Sequence, residues 1–322
     1  MKKALRDFPV KKGVPYLLFK IAAFLVLACI VDYLIGGIFN HFYFKQSSGW
    51  EYRTKYSVEE TKADILIFGA SRAQQQYNPV YFEEGLNKTC YNVGRDGEPI
   101  FYYYGVLQGV LKRYAPEMII LDIENGVFKK SQDSYDRLSV LLPFYKDHPE
   151  MRKTIELRGP FEKFKLQSQV YPYNSLLFKI AMGNVPGSKK KNEDIKGYLP
   201  LNRSLDEPTR PVDLSATYEI DTVKLSCYKD FIKECIQANV TLYIVCSPYY
   251  INATGTDTSM TLAKNIAAEY KIGFIDFARD EYFLKSPGLF DDTVHVNREG
   301  AKIFSNRLVD SILARSKVVP GR

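Results

Sequence analysis

Ala63-Asp64-Ile65-Leu66-Ile67-Phe68-Gly69-Ala70, running into Ser71-Arg72, is the stretch on which the fold turns. It is a short, nearly continuous apolar run, β-branched and aromatic, that ends on glycine. A strand covered on both faces reads this way, because a parallel sheet hides both sides under helices. Four similar runs follow: 89–93 (TCYNV), 118–123 (MIILDI), 240–246 (VTLYIVC) and 272–277 (IGFIDF). Between them lie helical patterns. Asn78-Pro79 caps and opens a short one. Glu98-Pro99 starts another, reaching about Tyr114. Further helices are expected over about 218–238, 259–270 and 298–315, the last capped by Asn297. Strands alternating with helices predict a doubly wound α/β domain on a parallel sheet. The alternation breaks over about 127–215, a Pro-, Tyr-, Lys- and Asp-rich insertion expected to hold short helices near the substrate site.

The chain before this domain is different in kind. Residues 16–39 (YLLFKIAAFLVLACIVDYLIGGIF) are long and apolar enough to cross a bilayer, which needs about 20 residues. Lys20, near one end, can snorkel to the interface. Asp32 lies deeper and is costly in hydrocarbon. It fits either a contact to a membrane-protein partner or a place in the outer interface. The basic tail over 1–15 predicts a cytoplasmic N-terminus, and so an extracytoplasmic domain over 62–318. The run is long for a cleaved signal peptide, and no small-x-small site follows it. An uncleaved, single-pass signal anchor is expected, joined to the domain by a polar, aromatic connector over 40–61.

The chain has 322 residues, 46% apolar, enough for one large or two small domains. Its formal charge of +7 collects partly at the ends and in Lys189-Lys190-Lys191. No nucleic-acid motif accompanies it, so solvated basic segments are the reading. Cys227 and Cys235 fall on one helix about 12 Å apart, too far for a disulfide. Cys29 belongs to the apolar span, and Cys90 and Cys246 read as buried strand residues. The spacing of His and Cys offers no metal-ligand set, and no cofactor is implied.

The chemistry lies at the two ends of the α/β pattern. In an open parallel sheet, sites form at the carboxyl ends of the strands. Ser71 directly follows the first strand. A serine hydroxyl needs a base to become a nucleophile. Only three histidines exist, and His41 sits at the membrane boundary while His148 lies in the insertion, with a surface role expected. His295, in Asp292-Thr-Val-His295, follows the fifth strand and can return to the same edge. Asp292 is placed to hold the imidazole's tautomer. Against this stands the plain reading: Gly-x-Ser as a turn and Asp as a helix cap.

Taken together, these blocks make the chain resemble the SGNH (GDSL-like) hydrolase superfamily. Gly69-Ala70-Ser71 stands where that family has Gly-Asp-Ser, and Asp292-Thr-Val-His295 where it has its closing Asp-x-x-His. Asn92-Val-Gly94-Arg-Asp-Gly97 stands at the glycine block, with Gly94 preferred as the residue next to the strand. Leu121-Asp-Ile-Glu-Asn125-Gly126 stands at the Gly-x-Asn-Asp block. The resemblance covers about 62–126 and 216–315. It implies a flavodoxin-like three-layer sandwich and acyl-ester chemistry. Ser71, His295 and Asp292 would be catalytic, with Ser71, Gly94 and Asn125 as the oxyanion hole. Arg72 and Arg95 could bind an anionic substrate or form structural ion pairs. The expectation is a membrane-anchored serine esterase or O-acyltransferase on an acylated envelope glycan. Its rival is a binding or scaffold protein that has lost turnover. A flavodoxin-like nucleotide binder is disfavoured, since no glycine-rich phosphate loop follows the first strand.

Overall fold

The computed structural model describes residues 13–184, 194–209 and 211–318. Most of the basic tail and the 189–191 lysine run lie outside the described residues. The strands are β1 (Ile65–Phe68), β2 (Cys90–Asn92), β3 (Met118–Asp122), β4 (Pro211–Asp213), β5 (Thr241–Cys246), β6 (Asn252–Thr254) and β7 (Gly273–Asp276). Five of them make one sheet in the order β2-β1-β3-β5-β7, and every pairing is parallel. β4 and β6 pair separately. The chain runs outward from β1 to β2, then crosses back to β3. The order therefore reverses at β1, which puts a crevice at its carboxyl end.

The strand period sorts the core into two layers. Leu66, Phe68, Ile119, Leu121, Leu242 and Ile244 face one cluster. Ile65, Ile67, Ile120, Tyr243 and Val245 face the other. Helices Ile100–Arg113, Thr222–Gln237 and Thr258–Glu269 cover the first face; Pro79–Leu86 and Arg298–Val318 cover the second. This is the three-layer sandwich the sequence predicts. The caps form as expected: the Asn78 Oδ1 accepts from the Val80 amide at 3.1 Å, and the Asn297 Oδ1 from the Gly300 amide at 3.1 Å. The described cysteines are free, and four of them are buried.

The segment before the domain is less loose than a connector. The apolar helix runs Gly13–Phe44 and is followed by helix Gly49–Lys55 and a π turn, Tyr56–Glu60. Tyr43, Val58, Glu51 and Thr54 are buried, with Tyr43 and Val58 in the first core cluster. The helix is long and apolar enough to cross a membrane, and its most apolar window is wholly exposed. Asp32 is held by the insertion. Its carboxylate accepts from Ser168 Oγ (2.5 Å) and from the Gln169 (2.7 Å) and Val170 (3.2 Å) amides of the insertion. A Cβ on Gly36 would lie 2.2 Å from Gln169 Cβ, so only glycine lets this segment approach so closely. The insertion itself is a series of short helices, with buried Leu138, Leu141, Met151 and Ile155 extending the first core cluster.

Candidate active site

Ser71 is placed by a sharp strand-to-helix turn. Gly69 holds φ +148, and a Cβ there would meet Ala73 Cβ at 2.7 Å, so the turn requires glycine. Helix Ser71–Gln76 begins at once, and Ser71 opens it at the sheet's carboxyl edge. Amides in a helix's first turn have no partner of the helix's own, which leaves the Ser71 amide available.

His295 arrives from the far end of the chain on a tight loop closed by the Phe290–Val296 bridge. The Asp292 Oδ1 accepts from the Val294 amide (2.8 Å) and the His295 amide (2.9 Å), fixing the loop. The same carboxylate meets His295 Nδ1, at 2.9 Å from Oδ2. The other ring nitrogen, Nε2, lies 2.8 Å from Ser71 Oγ. Burial raises the Asp292 carboxyl, but the hydrogen bonds from His295 and Val294 outweigh it and hold it below the ordinary carboxylate range. The carboxylate therefore stays charged at neutral pH. Its neighbour Asp291 is buried and bound to Arg203 at 2.7 Å, a structural pair.

Two long-range bonds fix the loop against the serine. Gln76, on the helix that Ser71 opens, donates from Nε2 to the Val294 carbonyl at 2.7 Å. The Tyr250 amide donates to the Thr293 carbonyl at 2.9 Å. Neither residue is conspicuous in the sequence.

The other expected site residues fall elsewhere. Gly94 is buried, and its amide donates to the Asn92 Oδ1 at 2.9 Å, so it has nothing to offer a ligand. The Arg95 amide is likewise taken by the Gly69 carbonyl. Gly97, set aside in the sequence reading, instead lines a cavity of about 360 Å³ together with Ser71 and Asp96. Asn125 lies in a different cavity, beside Tyr249 and Asp257. The acid before it, Glu124, lines the Ser71 cavity. β3 ends at Asp122, and Asn125 already belongs to the turn that follows, where its amide nitrogen meets the Tyr249 hydroxyl at 3.1 Å. Burial pushes the Glu124 carboxyl up, against the pull of Arg72.

Neither arginine is placed for a substrate. Arg72 is fully buried, stacks 3.6 Å from the Tyr249 ring centroid, and donates to the Ser247 carbonyl and, at 2.6 Å, to Ser247 Oγ. Arg95 is buried between Glu51 (3.2 Å) and Glu98 (3.4 Å), tying the Gly49–Lys55 helix to the site turn. The cationic groups that do line the cavity are Lys129 and Arg137, from the insertion, and Lys224, from the following helix. A Cβ on Gly97 would lie 2.6 Å from Arg137 Nη1, so the guanidinium sits directly on that turn. Glu98 also lines the cavity, and burial pushes its carboxyl up to about 7.

No protein-family model matches the chain, and neither does any curated protein. Among solved structures, the chain is similar to a psychrotrophic esterase, EstA from Pseudoalteromonas sp. The two are 12% identical, over 79% of this chain and 98% of that one, with a TM-score of 0.40. The fold assignment rests on the sheet order and the two core layers.

Proposed function

We propose that the protein is a membrane-anchored serine esterase or O-acyltransferase acting on acyl esters of an extracytoplasmic envelope glycan. The observation that carries the reading is the Ser71 Oγ–His295 Nε2 approach of 2.8 Å with Asp292 at Nδ1. In this reading His295 takes the Ser71 proton as the oxygen attacks the ester carbonyl carbon. Asp292 orients the ring and stabilises the imidazolium. The tetrahedral intermediate expels the alcohol, which leaves with the proton from His295. Water, or a second sugar hydroxyl, then attacks the acyl-serine with His295 as base again, and Ser71 is regenerated.

The oxyanion would be held by the Ser71 amide and, in place of Gly94, by the amide of Gly97 in the same cavity. Losing one such donor costs about 3 kcal/mol of transition-state stabilisation. Arg137 and Lys224 would hold polar or anionic groups of the substrate. Anchoring is supported by the Gly13–Phe44 helix, and the basic residues before it argue for a cytoplasmic N-terminus.

A specific observation favours a second reading, a binding or scaffold protein without turnover. Glu124, a carboxyl group, lines the cavity where the Asn125 amide was expected. Fluorophosphonate labelling separates the two. In the catalytic reading the wild type is labelled and Ser71→Ala is not. A folded wild type that stays unlabelled leaves the scaffold reading.

A further inference from the structure

The turn around Glu162–Lys165 is built inside out. Glu162 is 1% exposed, and its carboxylate accepts from Arg158 (2.9 Å), Lys165 (2.8 Å) and the Tyr171 hydroxyl (2.8 Å). Phe161 and Phe164, by contrast, are 68% and 79% exposed. A water-facing turn hides its aromatic rings and shows its acid. Here an internal polar cluster holds two rings outward, and Lys163 beside them is exposed.

The position of this turn identifies what it faces. Four residues after Phe164, Ser168 begins the segment that binds Asp32 on the apolar helix. Lys20 and Asp32 are twelve residues apart, or about 18 Å along a helix. Centred in a hydrocarbon layer of about 30 Å, each lies roughly 6 Å inside its boundary. The segment bound to Asp32 thus lies within about 6 Å of the outer boundary, and the Phe161–Phe164 turn, a few residues before it, is carried to the same level.

We propose that this turn is a second membrane contact. Phe161 and Phe164 sink into the outer leaflet between headgroups and acyl chains, beside the spanning helix, and Lys163 reaches lipid phosphates. The domain is thereby held at a set tilt, rather than hanging from a single helix. This rests on the anchored reading of the Gly13–Phe44 helix. Its occupant is the bilayer itself, because the chain runs from the turn within a few residues into the segment bound to Asp32 on the helix that enters it.

The test uses the full-length chain with Trp50→Phe, carrying a single tryptophan as Phe161→Trp, Phe164→Trp or Leu27→Trp. Each is reconstituted into phosphatidylcholine vesicles with bromines high or low on the acyl chain. The expected result is loss of Phe161→Trp and Phe164→Trp emission with high bromines, and of Leu27→Trp emission with low ones. Quenching of Leu27→Trp alone overturns the second contact and leaves the anchor standing. No quenching at Leu27→Trp overturns both. Since Phe161 and Phe164 are exposed, tryptophan there does not disturb packing.

Discussion

At the residue scale, the serine and the histidine are joined by groups that never touch a substrate. Gln76 is buried, and its amide holds the Val294 carbonyl just before His295. Gln76→Leu is expected to lower kcat for an aryl acetate roughly 10- to 100-fold, with KM little changed, because a small displacement of the base misaligns attack. A variant that leaves kcat intact would remove Gln76 from the positioning set. Asp292→Asn is expected to cost about 10⁴-fold in kcat by favouring the wrong tautomer. Glu98 predicts a pH effect. Its carboxyl titrates near 4.5 when unfolded and about 7 when folded. Between those values the unfolded chain binds fewer protons, so the stability Glu98 contributes is present below 4.5 and lost as pH rises through 7. Chemical denaturation across that range is expected to show a decline that Glu98→Gln flattens.

At the scale of elements, β1 does two jobs. Its alternate residues feed both core layers, and its last turn delivers Ser71. Phe68 is 1% exposed and packs edge-on against Phe231 at 5.4 Å, joining β1 to the Thr222–Gln237 helix. Phe68→Ala is expected to cost about 3–5 kcal/mol in urea unfolding, the usual cost of a buried phenylalanine. A cost below about 1 kcal/mol would mean that the site strand is not part of the core. The insertion was legible as an interruption holding short helices, but not in its contacts. Its short helices lack a long apolar period, so nothing local reveals that Arg137 returns to the Gly97 turn.

At the scale of the molecule, the segment joining helix to domain belongs to the domain. Arg95 and Glu51 form a buried pair across that junction, and Val58 and Tyr43 are 0% and 1% exposed. A chain beginning at Lys62 leaves Arg95 with Glu98 but without Glu51, breaking a buried pair of a kind worth about 3–5 kcal/mol. It is expected to aggregate or melt well below a chain that keeps residues 40–61. Equal melting temperatures, read by circular dichroism, would show that the junction adds nothing.

The sequence alone determined what depends on local period and order. Apolar runs ending in Gly69 and Cys246 set the strands, and the alternation set a parallel sheet. Chain order then brought Ser71 and His295 to one edge, since βα units deliver every strand end to the same side. Asp292 was legible because a three-residue turn spans the distance to its histidine. What only the tertiary structure decided was which way polar groups face. The Gly94 amide is lost to Asn92, Arg72 to Tyr249 and Ser247, Arg95 to Glu51, and Asp32 to the insertion. Apart from the nearby Asn92, each of these partners lies dozens of residues away in the chain. A buried polar group takes whichever partner the packing supplies, because leaving it unpaired costs more than any local preference is worth.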